Sequence, residues 1–150
     1  MENYKELTND LNKILARNYD AINGYKNAGD NIKNKALKAF FEDQVLERLK
    51  FSQELEYEIQ MYGQEVVGSG SMEASLHRAW MDLKTALSKN NDEAVVEECI
   101  RGEEAACQDY QDIINNGLPT HGSLYNILKS HKRQIEKSIF HLKSIESIVS

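Results

Sequence analysis

The chain has 150 residues, including one Pro, eight Gly and two Cys, and a formal net charge of −6. That length makes one domain large enough to bury a real core, and the acidic balance argues against nonspecific phosphate binding, which needs a basic face. No apolar run approaches the ~20 residues needed to span a bilayer, and the polar start MENYKELTND lacks the apolar stretch of a signal peptide, so the cytoplasm is the expected location.

Scarce Pro and abundant Ala, Leu, Ile, Lys and Glu favour helix throughout. The first predicted helix runs from about residue 3 to 28, with Tyr4, Leu7, Leu11, Ile14, Leu15, Asn18, Ile22 and Tyr25 in one stripe and Gly29 as its stop. Asp30 or Asn31 can cap a second helix reaching Tyr62 and Gly63. Its inward stripe is Leu37, Phe40, Phe41, Gln44, Arg48, Phe51, Leu55, Ile59 and Tyr62. The stretch GQEVVGSGS reads as a loop.

Ser71 then caps a shorter helix to about Ser88, buried through Leu76, Ala79, Trp80, Leu83 and Leu87. Asn90, Asn91 and Asp92 turn the chain into a third long helix that ends near Asn116 and Gly117. Pro119 opens the last helix, whose stripe is Leu124, Ile127, Leu128, His131, Ile135, Ser138, Leu142, Ile145 and Val149. Four helices are long and one is short, and the short one falls where a ferritin-like topology needs its long crossover. The expected fold is therefore all-α, a ferritin-like four-helix bundle with a short helix between the second and third long ones.

Cys99 and Cys107 share a predicted helix at roughly 12 Å separation, too far apart for a disulfide. Cys99 lies on the apolar face and reads as a small core residue. Without a CxxC or HxxxH pair, zinc has no support. His77, His121 and His141 fall off the inward stripes and are expected at the surface. No phosphate loop, nucleophile elbow or Cys–His dyad is present, so nucleotide and nucleophilic chemistry lack a motif.

The informative residues are polar ones on apolar faces. Asn18 precedes Tyr25 by seven residues, and Glu103 precedes Tyr110 by seven, so each pair shares one helix face with the apolar stripe. Gln44, Arg48, His131 and Ser138 also fall on inward stripes. An unpaired buried charge costs several kcal/mol, so Arg48 must meet an acid, and Glu103 is the one near the centre of a facing stripe. The expected interior is a structural network of Arg48 and Glu103 with Asn18, Tyr25, Gln44, Tyr110 and His131, fixing helix register.

The segments ASLHRAWMDLKTAL (74–87), EECIRGEEAA (97–106) and FSQEL (51–55) resemble a bacterial family of small ferritin-like proteins, domain of unknown function 2383. The resemblance runs over essentially the full length. It implies the ferritin-like fold and no established activity. The wider superfamily implies a diiron carboxylate site, with Glu on the first and third long helices and ExxH on the second and fourth. Carried onto this chain, those positions hold Asn18, Glu103, Glu47 followed by Lys50, and His131 followed by Gln134 in the order HKRQ. Two ligands are absent, which speaks against an ordinary ferroxidase centre.

Two functions follow as expectations. One is a non-catalytic helical protein with a polar-locked core and a partner- or self-interaction role. The other is an iron- or divalent-metal-binding protein with Glu103, Glu47 and His131 as a reduced ligand set. Leu46, Leu49 and Tyr57 lie on the far side of the second helix, an apolar patch that the short helix or a second subunit must cover, so a homodimer or higher oligomer is expected. Neither nucleic acid nor membrane is expected as a partner.

Overall fold

A computed structural model describes residues 2–66, 74–116, 118 and 122–149, with the side chains of all of these except 2, 3 and 74–80. The described chain is all-helical: α1 (Glu2–Asn31), α2 (Lys35–Met61), α3 (Ala74–Ser88), α4 (Asp92–Asn115) and α5 (Ser123–Val149). α1 packs on α2 and α4 on α5, while α1 also meets α4 and α2 meets α5. α3 lies against α1 and α4.

The buried stripes have the 3.6-residue period of amphipathic helices. They form two apolar clusters. One joins Tyr25, Ala28, Leu37, Phe40 and Phe41 to Leu83, Ala86, Val95, Val96, Cys99, Leu142 and Ile145. The other joins Leu11, Ile14 and Leu15 to Phe51, Leu55, Ile59, Tyr110, Ile113, Leu124, Leu128 and Ile135. Each cluster takes the late part of α1 with the early part of α2, or the reverse, so these two helices are antiparallel. The same pairing makes α4 and α5 antiparallel. Asn18, Gln44, Arg48, Glu103 and Ser138 fall between the two clusters along their helices, whereas His131 lies within the span of the second.

Several helix boundaries differ from expectation. α1 continues through Gly29 to Asn31, because Gly29 keeps a negative φ and the Asn31 side chain donates to the Asn27 carbonyl at 2.7 Å. A helix stop there would need the left-handed conformation. The cap of α2 is Asn34, not Asp30 or Asn31: its Oδ1 accepts from the Leu37 amide at 3.0 Å. Gly63, at φ 76°, does terminate α2, and its amide returns to the Gln60 carbonyl at 2.9 Å. α5 begins at Ser123 rather than at Pro119, and Pro119 itself lies outside the described residues. So do Ser71, Gly117, His121 and the side chains of Leu76, His77, Ala79 and Trp80.

Tyr4, placed on the inward stripe of α1, is 50% exposed. Thr8 and Asp20 on α1 and Ser52 and Glu58 on α2 are buried although no stripe included them. Asn34→Ala is expected to lower stability by about 1 kcal/mol, the usual worth of such a cap. Urea unfolding checks this, and an unchanged midpoint would show that the cap contributes nothing.

Candidate functional site

Arg48 on α2 is 3% exposed, and burial opposes its charge. The Glu103 carboxylate from α4 is the largest opposing influence, and together with the other neighbouring groups it outweighs burial, so the guanidinium is held above its ordinary pKa. Arg48 Nη2 bonds Glu103 Oε2 directly, and Nη1 donates to Asn18 Oδ1 at 2.8 Å. The Tyr25 hydroxyl from α1 donates to Glu103 Oε1. Burial, then the Glu103 charge, pushes the Tyr25 pKa well up, so it stays a donor. Arg48 Nε has no hydrogen-bond partner among the described residues.

His131 on α5 continues the polar layer. Its ring stacks on Phe51 with centroids 3.9 Å apart and planes 15° off parallel. Nδ1 is 2.9 Å from the Tyr110 hydroxyl and Nε2 is 3.0 Å from Glu54 Oε1. Burial lowers the His131 pKa to about 4, with the Glu54 hydrogen bond and charge opposing. The ring is therefore neutral at pH 7. A carboxylate can only accept, so Nε2 carries the proton and donates to Glu54, while Nδ1 accepts from Tyr110. Burial raises the Tyr110 pKa, against the Arg48 charge and the neighbouring Asn18 side chain, and so keeps that hydroxyl protonated.

The two seven-residue spacings thus act across helices. Tyr25 of α1 reaches Glu103 of α4, and Tyr110 of α4 sits by Asn18 of α1. The layer runs through Tyr25, Glu103, Arg48, Asn18, Tyr110, His131 and Glu54, and includes all four long helices. Its outer end is Glu54, whose side chain is 36% exposed. Glu54 was missed because it lies on the flank of the α2 stripe, where an acid reads as a solvated side.

Gln44 is separate from this layer. Its Nε2 donates to Ser138 Oγ at 2.9 Å, and that hydroxyl lies 3.5 Å from Glu47 Oε2. These groups line a groove between α2 and α5 with Asp43, Lys137 and His141. Burial raises the Glu47 pKa while Arg48 pulls it down. His141 is exposed and meets Phe40 edge-on. Cys99 is buried, with its thiol pKa pushed up by burial, and Cys107 rises to about 11, so neither offers a thiolate at neutral pH.

A diiron centre needs several carboxylates and imidazoles converging on one point. Glu103 is taken up by Arg48 and Tyr25, His131 has both nitrogens engaged, and Glu47 faces the α2–α5 groove. Lys50, at the expected imidazole position, is exposed. Among the described residues no three His, Cys, Asp or Glu side chains gather as a metal-holding group. A guanidinium at the centre also repels a divalent cation. These residues do not fit the diiron cofactor that the resemblance to ferritin-like proteins implies.

None of the helices is long and apolar enough, among the described residues, to cross a membrane. No curated protein matches the chain. The family described as Domain of unknown function (DUF2383) matches residues 6–116, which is most of the chain, and the protein belongs to that family.

Proposed function

We propose that this protein is a ferritin-like four-helix bundle that has given its central site over to a structural role. The supporting connectivity is that Asn34, before α2, donates to Asp92 at the start of α4 at 3.4 Å. Helices α2 and α4 thus begin at the same end, and the link holding α3 returns along the length of α2. About 27 residues of helix span some 40 Å, and the 15 residues of α3 supply about 22 Å of that. This up-down-down-up order with one long crossover is the ferritin-like arrangement.

The observation that carries the functional reading is the Arg48–Glu103 pair with side chains 4% and 2% exposed. A buried ion pair adds little net stability compared with apolar packing of the same volume. What it supplies is discrimination: only the register that brings the α2 guanidinium to the α4 carboxylate avoids two stranded charges. The protein is then a non-catalytic scaffold acting through its surface, to a partner or to itself.

The competing reading, a reduced iron or manganese site on Glu103, Glu47 and His131, is tested by elemental analysis. Protein purified without chelators or a metal-affinity tag is expected to carry far less than one metal ion per chain. Stoichiometric iron or manganese, lost on Glu103→Gln, would overturn the scaffold reading.

A further inference from the structure

The outward side of α2 has no helix against it among the described residues. α2 packs on α1 and α5, and α3 lies on α1 and α4 instead of covering it. Leu46, Leu49, Tyr57 and Met61 are 68%, 41%, 61% and 66% exposed. An apolar stripe along one helix, rimmed by charge, is the usual mark of an interaction face.

The charges on this face carry a specific pattern. Lys38, Glu42, Leu46, Lys50 and Glu54 follow one another every four residues, and all are exposed or partly exposed. Residues spaced by four form a continuous ridge on a helix. Along this ridge the order is positive, negative, apolar, positive, negative. Read backwards, every charge changes sign about Leu46, so the ridge is complementary to its own reversed copy.

We propose that the protein forms an antiparallel homodimer through this ridge, with the twofold axis at Leu46. In the commonest mode of helix packing, the four-residue ridges of two helices align while the axes cross at about 50°. Antiparallel alignment sets Glu42 beside Lys50 of the second copy, Lys38 beside Glu54, and Leu46 beside its equivalent. Symmetry supplies each ion pair twice.

Leu49, Tyr57 and Met61 lie on the neighbouring ridge and supply apolar area at the flank. Apolar burial drives the contact, and the charges, individually weak at a surface, fix its direction. A parallel pairing in register would set like charges together. Glu54 Oε1 already accepts from His131, which leaves Oε2 to meet Lys38 and ties the interface to the core layer. A foreign partner has no need of a ridge that complements itself, so the pattern favours a second copy.

The inference rests on the reading of the chain as a surface-acting scaffold, and its failure is separable from failure of that reading. Sedimentation or light scattering over a concentration series is expected to show reversible association to twice the chain mass. Glu42→Lys and Lys50→Glu should each weaken association about tenfold or more, by making like-charge contacts twice over. The double variant Glu42→Lys/Lys50→Glu should recover it. Both positions are exposed, so each variant is expected to stay helical by circular dichroism. In a Cys107→Ser background, Leu46→Cys should cross-link readily under mild oxidation. A monomer at every concentration, or a dimer indifferent to the swaps, overturns the proposal. A dimer whose double variant stays weak overturns it as well. None of these results bears on the metal content or on the Arg48–Glu103 pair.

Discussion

Arg48→Leu is expected to destabilise the fold by about 3–5 kcal/mol, the range found when one partner of a buried ion pair is removed. Leucine fills part of the space but leaves Glu103, 2% exposed, with the Tyr25 hydroxyl as its remaining side-chain hydrogen-bond donor among the described residues. Asn18 Oδ1 loses its donor at the same time, and a stranded buried acceptor costs a further ~1–3 kcal/mol at most. Against a typical total stability of about 5–15 kcal/mol, such a variant would stand near the edge of folding.

The double variant Arg48→Leu/Glu103→Leu separates the charge effect from general disruption. Removing both charges abolishes the desolvation cost of each, so the double variant should be more stable than Arg48→Leu alone. Urea unfolding of the four proteins in the cycle gives the coupling energy. A change below about half a kcal/mol for Arg48→Leu would count against the pairing. So would strict additivity of the two single changes, because it would mean that the charges do not sense each other.

The helical stripes could be read in advance because burial in an amphipathic helix repeats every 3.6 residues whatever the helix packs against. Arg48 and Glu103 could be matched for a related reason: a buried guanidinium tolerates few surroundings, and facing stripes offered one central acid. Readings that depended on how helices cross were harder. Asn18 and Tyr25 share a face, yet Tyr25 bonds Glu103, because antiparallel α1 and α4 bring the tyrosine of each level with the polar residue of the other. Gln44 shares a stripe with Arg48 but sits one turn away and meets Ser138. Glu58 is buried because Ser123, at the start of α5, donates to its Oε1 at 2.8 Å, a contact between segments 65 residues apart that no local pattern encodes. Gly29 shows the limit of composition: a glycine stops a helix only where the backbone turns left-handed, and here α1 continues past it.

Acidification should weaken the fold through His131, in a window set by its displaced pKa. The unfolded chain titrates this side chain near 6.5, whereas burial holds it at about 4 in the folded protein. Between those values the unfolded state binds the extra proton, so stability falls as pH is lowered and the contribution is fully present only above the upper value. The groups facing the ring are Tyr110 from α4, Glu54 and Phe51 from α2, and more distantly Arg48 and Lys50, whose charges oppose its protonation. A displacement of this size corresponds to about 3 kcal/mol lost between pH 7 and pH 4. Glu54 does not rescue the charged form, because its side chain is 36% exposed and shares its field with solvent. His131→Gln keeps a donor for Glu54 and an acceptor for Tyr110 but has no proton to gain in this range. Unfolding free energies of the two proteins should therefore converge as pH falls, with the wild type losing the larger share. Parallel curves from pH 7 to pH 4 would show that the imidazole titrates as freely when folded as when unfolded, and that the polar layer does not exclude its charge.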